Sequence, residues 1–307
     1  MINTQPTTPP ADNPAVLLLG ASGFLGPALA EASGPGGAIA THCRNPRPGS
    51  LYFDARESPV AGLLTGLRGR PKAAIIMLGI TAIDACARDP NGTAAVNVHG
   101  VIRVIDELRA LAIAPVFVSS DGVFDGGRGM WCEADAPAPI LEYGRQKLAV
   151  ERYVSSLPPP WLVVRLPKML DPARNPRCML TGWVEALGRE KKILCATDQY
   201  FTPAAAPDVA RALATLVRQN AQGVYHLGGP QRLSRRDLLD AVVAEYVRHA
   251  VPRAQIVSCS LRDIGVLEPR PLDNSLDSSR FAQAFQCPFS NPKTVATAAV
   301  QAFFATG

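Results

Sequence analysis

Short, wholly apolar runs alternate along the chain with longer stretches in which apolar residues recur at the period of a helix. The first run, AVLLLG (15–20), has no polar position, as a strand buried on both faces of a sheet requires. PALAEAS then reads as helix, GAIATHC as a second strand, LYFDA as a short third and KAAIIMLGI as another buried strand. NGTAAVNVHGVIRVIDELRALAI predicts one long helix, APVFVSS a strand, EYGRQKLAVERYV a partly apolar helix and WLVVRLP a further strand. Strands and helices joined by short connections predict a doubly wound, parallel α/β sheet.

Past Pro167 the pattern loosens. MLTGWVEALGRE, PAAAPDVARALATLVRQN and SRRDLLDAVVAEYVRHA read as helices, the last capped by Ser234, and KKILCA and GVYHLGG as strands. From AQIVSCS onward the chain reads as short segments with many prolines. The expected organisation is a flexible N-terminal arm over 1–13, a nucleotide-binding sheet over 14–167 joined by part of 196–230, and a smaller C-terminal α/β substrate lobe, mainly 168–307.

Composition adds exclusions. The 307 residues are 47% hydrophobic and 19% charged, which describes a packed globule. Net charge is only +5 and the basic residues are dispersed, which argues against nucleic acid as a partner while suiting a small anionic or nucleotide-linked substrate. Seven scattered cysteines and four isolated histidines form no metal-ligand spacing, so no metal is expected and the thiols read as reduced. There is no apolar run of membrane-spanning length and no basic start followed by an apolar core. A cytoplasmic protein without a membrane partner is expected, with a homodimer left open.

The first strand runs straight into GASGFLG, with Gly20, Gly23 and Gly26 spaced GxxGxxG. Here Gly20 permits the tight turn, Gly23 lets backbone approach a pyrophosphate and Gly26 lets helix pack on sheet, while the helix N-terminus faces the phosphates. Gly20, Ser22, Gly23, Phe24, Leu25 and Gly26 are the expected cradle of a Rossmann-type dinucleotide site. An acid after the second strand would bind the ribose hydroxyls of NAD. This chain carries Arg44 and Arg47 there, and an arginine can take a 2′-phosphate, so NADP(H) is favoured over NAD(H). Asp54, after the third strand, is a candidate contact to the adenine.

Tyr143 and Lys147 stand at i and i+4, one turn apart on one helical face. YxxxK alone is common, and an ordinary surface pair satisfies it equally well. GASGFLG, VFVSSDGVFDG and YGRQK, in this order and at these separations, together resemble the extended short-chain dehydrogenase/reductase superfamily, and within it the dTDP-4-dehydrorhamnose reductase group. ATDQYFTPAAAPDVARAL, GVYHLGG and EPRPLDNSLDSSRF extend the likeness over nearly the whole chain.

The resemblance implies an NAD(P)-dependent oxidoreductase in which Tyr143 is the catalytic acid, Lys147 lowers its pKa and bonds the nicotinamide ribose, and Ser120 holds the substrate oxygen. Leu78 and Gly79 would flank the adenosine ribose, Asn97 would stiffen the site, Leu166 and Pro167 would border the nicotinamide, and Asp121 would hold a substrate hydroxyl. Two positions depart from the family. Gly122 stands where the group has a tyrosine, and Lys168 where it has a tryptophan, which suits an anionic group on the substrate. The expected reaction is reduction of a keto group on a nucleotide-linked sugar or related anionic metabolite. Two alternatives stay open: a sugar-nucleotide epimerase or dehydratase with bound NAD, and a cofactor-binding regulatory subunit resembling the β subunit of methionine adenosyltransferase.

Overall fold

The computed structural model describes residues 16–305 apart from Arg68; the expected arm, 1–13, lies outside them. The chain divides into two compact units. The first takes the described residues up to Ser119, with Gln146–Val164 and Leu213–Val224; the second takes Ser120–Arg145, Arg165–Ala212 and Tyr225 onward.

Seven strands form the main sheet: β1 (Val16–Leu19), β2 (Ala38–His42), β3 (Leu51–Tyr52), β4 (Ala73–Ile76), β5 (Ala114–Ser120), β6 (Leu162–Leu166) and a later strand at Gly223–His226. From one edge the order is β3, β2, β1, β4, β5, β6 and then that later strand. β1 pairs in parallel with both β2 and β4, so the winding reverses between β1 and β4. In such sheets ligands bind at the strands' carboxyl ends at this reversal. All four residues of β1 and of β4 are buried. Each Val, Leu or Ile side chain among them contributes roughly 1.5–3 kcal/mol by leaving water.

The first unit's helices include α1 (Gly26–Ala32), α2 (Ile83–Arg88), α3 (Pro90–Ala94) and α4 (Val101–Ala110). α4 shows why its sequence chose a helix: Val101, Val104, Ile105 and Leu108, at i, i+3, i+4 and i+7, are all fully buried. The single long helix expected over 91–113 is interrupted, because Ala95–Gly100 winds as a π-helix between α3 and α4. α5 (Glu142–Ser156) is one continuous helix whose start belongs to the second unit and whose remainder packs Val150 and Val154 into the first unit's core.

In the second unit, β8 (Lys192–Ala196) pairs in parallel with β13 (Gln255–Cys259), and short ladders join β7 (Met169–Leu170) to β10 (Ala204–Ala205) and β9 (Tyr200–Phe201) to β12 (Leu233–Ser234). Helices α6 (Met179–Arg189), α8 (Arg235–Tyr246) and α10 (Pro292–Ala305) pack together, with the Tyr246 and Phe304 rings 5.3 Å apart. Between α6 and α8 in sequence lies α7 (Ala206–Arg218), which starts later than the sequence pattern suggests because Ala204–Ala205 is drawn into β10. The Gly223–His226 strand is β11, and a short α9 (Ser279–Ala284) precedes α10. Ser234 caps α8 as expected, with a reciprocal bond from its own backbone N–H to Asp237.

The tail departs from its reading as short segments. α10 is a fourteen-residue helix that buries Val295, Ala296, Ala299 and Val300. Two of its five buried residues are alanines and another is Pro292, so the contrast between apolar and polar faces that marks α4 is faint in its sequence. No described helix is long and apolar enough to cross a membrane.

Gly26 shows how tightly α1 seats. A Cβ there would stand 1.8 Å from the carbonyl oxygen of Ala21, so backbone would have to move. Gly26→Ala is expected to lower the unfolding free energy by about 1–3 kcal/mol or more, the range of overpacked interiors, read as a lower urea midpoint with little change in m-value.

Candidate active site

The first unit holds the expected cofactor residues other than Tyr143 and Leu166, which belong to the second, and the glycine turn, Arg44 and Leu78–Gly79 follow β1, β2 and β4. Gly20 follows β1 with φ +84°, and its N–H donates to Thr41 Oγ1 at 3.0 Å, tying the turn to β2. A Cβ on Gly20 would press on the Met77 carbonyl at 3.1 Å in a conformation that L side chains rarely adopt. The turn closes with the Gly23 N–H donating to the Gly20 carbonyl, and Leu25 is buried at the start of α1. Ser22 and Phe24 are half-buried in the same turn. This compact turn, free of bulky intrusion at Gly20 and Gly26, fits the backbone approach a pyrophosphate needs.

Arg44 and Arg47 follow β2, both exposed. Asp54 is buried, and Arg56 grips its carboxylate with Nη2 at 2.6 Å and a backbone N–H at 2.9 Å, which holds it down at about 2. Its oxygens are already engaged, so Asp54 is a fixed local brace as well as a candidate adenine contact.

Leu78 and Gly79 follow β4. Asn97, in the π-helical stretch, accepts from the Ile80 N–H at 2.6 Å and donates to the Ile80 carbonyl at 3.0 Å and to Gln146 Oε1 at 2.7 Å. Gly79 is pressed against the same amide, since a Cβ there would lie 3.0 Å from Asn97 Oδ1. The extra residue that a π-turn accommodates re-aims a side chain, and here Asn97 lies in such a turn.

Lys147 is 5% exposed, donates to the Val118 carbonyl at 3.0 Å and lies 4.8 Å from the centroid of the Phe117 ring. Burial pushes its ammonium down to about 8, while the Glu151 carboxylate opposes the shift. Leu166 closes β6, buried.

The second unit holds Ser120, Asp121, Gly122, Tyr143 and Lys168. Ser120 Oγ donates to Asp121 Oδ1 at 2.9 Å and accepts from the Gly122 N–H at 3.1 Å. Burial raises the Asp121 carboxyl to about 6, although the Ser120 hydrogen bond and the Lys168 charge favour its ionised form. A Cβ on Gly122 would lie 3.4 Å from Ser120 Oγ and 3.6 Å from Tyr143 Cδ1, so hydroxyl and phenol ring converge on this glycine. Lys168, just beyond β6, is exposed. Desolvation and the nearby Arg235 guanidinium lower its ammonium.

Sequence reasoning passed over Gly144 and Gln146, although both sit inside YGRQK. A Cβ on Gly144 would stand 2.0 Å from the Gly122 carbonyl oxygen, and Gln146 joins Asn97 to Thr93 and the Pro90 carbonyl. His226 proves to be a satisfied core residue. It is fully buried, and its Nδ1–H donates to the Trp131 carbonyl, so Nε2 accepts from Arg165. Burial lowers this imidazole to about 4. Trp131 is half-buried, stacked on Phe124 with centroids 4.7 Å apart. Among the described residues no group of three His, Cys, Asp or Glu side chains is placed to hold a metal ion.

The profile of the RmlD substrate binding domain matches residues 14–304. The chain belongs to this family. A dTDP-4-dehydrorhamnose reductase of Sinorhizobium fredii is 24% identical over 70% of the chain and 75% of its own length. Among solved structures, a dTDP-4-dehydrorhamnose reductase from Bacillus anthracis in complex with NADP superposes with a TM-score of 0.77 at 19% identity, covering 96% of this chain and all of the other. MoeE5 in complex with UDP-glucose and NAD gives 0.79 at 19% identity over 95% of this chain and 99% of its own. The Rossmann-type parallel sheet expected from sequence is therefore the fold.

Asp121 generates a pH test. Its folded-state value near 6 lies above the ordinary 3.8, so the native state holds the proton more tightly. Stability from this group is present below about pH 4 and is lost as pH rises through 6. The melting temperature of Asp121→Asn should therefore gain on that of the wild type between pH 4 and 7 and stay parallel above it, in a thermal-unfolding series.

Proposed function

We propose that the protein is an NADP(H)-dependent reductase of a keto group on a nucleotide-linked sugar or a related anionic metabolite. The observation that carries this reading is the convergence of Ser120 and Tyr143 on Gly122, on the same helix that buries Lys147 one turn further on. The family supports the substrate class, and the exposed Arg44 after β2 supports NADP(H). Neighbours of the same fold carry NADP in one case and NAD in another, so the choice between them rests on this chain's own residues.

The turn at Gly20–Gly26 would hold the pyrophosphate and Arg44 the 2′-phosphate, with Leu78, Gly79 and Asn97 along the adenosine side and Leu166 by the nicotinamide. The dinucleotide supplies the hydride when bound. Ser120 orients the carbonyl oxygen by donating its hydroxyl hydrogen, which requires turning from Asp121. Tyr143 gives its phenolic proton to that oxygen as hydride reaches the carbon, so a ketone becomes a secondary alcohol. A free phenol titrates near 10 and donates slowly at neutral pH. The buried Lys147 ammonium stabilises the phenolate left behind, and the Val118 carbonyl and Phe117 ring hold that ammonium in place. Asp121 and Lys168 would meet substrate hydroxyl and anionic groups.

Tyr143→Phe should lower turnover by about 10²–10⁴, the usual worth of a general acid, while NADPH still binds with near-wild-type affinity by nicotinamide fluorescence. Wild-type turnover in this variant would sink the assignment. In the same titration wild type should prefer NADPH to NADH, and Arg44→Ala should erase that preference; if neither dinucleotide binds, the oxidoreductase reading falls altogether.

A further inference from the structure

The second unit contains two cationic side chains, Arg235 and Lys168, that form no ion pair among the described residues. Arg235 opens α8, and its guanidinium lies 5.2 Å over the Trp183 ring. Stacking fixes the plane of the guanidinium and leaves its N–H edge to bond something else. Neither Arg235 nor Lys168 has an ion-pair partner within 4.0 Å among the described residues, and Arg235 Nε is buried without a hydrogen-bond acceptor. An unpaired buried donor on a charged group is costly.

Other unsatisfied atoms gather around the same strand. Gln199 Oε1 and Asn274 Oδ1 are also buried without donors. Their backbones are joined to the Arg235 region directly. The Arg235 N–H donates to the Gln199 carbonyl at 2.8 Å, and the Asn274 N–H donates to the Tyr200 carbonyl at 3.1 Å. The segment beginning at Gln199 also reaches Lys168, whose carbonyl accepts from the Ala204 N–H at 3.1 Å. Lys168 is close enough to Arg235 to feel its repulsion and close enough to Asp121 to feel attraction, and Asp121 bonds Ser120. Polar contacts therefore lead from Ser120 through the Asp121 carboxyl to Lys168 and on to Arg235.

We infer that Arg235 and Lys168 form a specificity clamp for an oxyanion, a carboxylate or a phosphate, carried by the keto compound itself near its reacting carbon, and that Gln199 and Asn274 accept from hydroxyls beside it. This rests on the reductase reading above. Two acceptors next to two cations match a hydroxylated acid, because an anion alone would leave both amide oxygens without donors. The clamp selects substrate by direct contact and takes no part in proton transfer, so Arg235 is a specificity-determining residue.

The experiment is calorimetric binding to the NADP-loaded protein, using pairs that differ only in the anion: UDP-glucuronate against UDP-glucose, and glucose 6-phosphate against glucose, with UDP alone as reference. Wild type should favour the anionic member of one pair at least about tenfold, and the pair that shows the gain tells carboxylate from phosphate. Arg235→Gln should collapse that preference to within about twofold, Arg235→Lys should keep part of it, and Lys168→Gln should weaken it too. NADPH binding, measured alongside, should be unchanged in all three, which also shows that they fold. Equal affinity within both pairs, no binding by any sugar ligand, or a preference that survives Arg235→Gln overturns the proposal. So does an equal loss for UDP, UDP-glucose and UDP-glucuronate, which would put the pair on the diphosphate. If NADPH itself fails to bind, the reductase reading is what has failed.

Discussion

Helix α5 approaches the end of β5 with no side chain separating their backbones, and the rest of the site depends on that approach. Gly144 makes it possible, because any Cβ there would meet the Gly122 carbonyl at 2.0 Å. A glycine inside a helix costs about 1 kcal/mol relative to alanine. The return is geometric: the Tyr143 ring comes against Gly122 beside Ser120, and one turn later Lys147 reaches the Val118 carbonyl. A helix held further off by even one methyl group would draw the Tyr143 ring away from Gly122.

Burial then sets the charges. Lys147 is driven down to about 8 and Asp121 up to about 6, each chiefly by desolvation. Both shifts move the group toward its neutral form and bring its titration nearer to neutral pH, as sites that handle protons require. The imidazole of His226 is lowered as well, yet it takes no part in such chemistry. Its two nitrogens are occupied by the Trp131 carbonyl and Arg165, so its shift records burial and the neighbouring guanidinium charge.

The cofactor side is organised by the reversal of strand order between β1 and β4. Chains leaving those two strands diverge and open a crevice, and Gly20 and Gly79 keep the backbone at its mouth bare of side chains. Asn97 fixes the far wall by bonding both polar groups of Ile80, and Gln146 carries that restraint onto α5. The segment after β4 and helix α5 are thereby joined by hydrogen bonds within the first unit.

Much of this was legible in the chain. Unbroken apolar runs such as AVLLLG and KAAIIMLGI announced strands buried on both faces, and the glycine spacing after the first run announced the turn, because these demands are local in sequence. The Tyr143–Lys147 pair was visible too, yet a four-residue spacing is equally that of a surface pair, and only the burial of Lys147 separates the two. The length of α10 was hidden by its alanine-rich face. The π-helical turn at Asn97, the close seat of Gly144 and the unpaired guanidinium of Arg235 were not legible at all. Each depends on what a distant segment places beside it: the Ile80 backbone, the Gly122 carbonyl, the Trp183 ring. Local periodicity determined the elements and their order, and the approach of elements far apart in sequence decided which side chains are buried, charged and left in want of a partner.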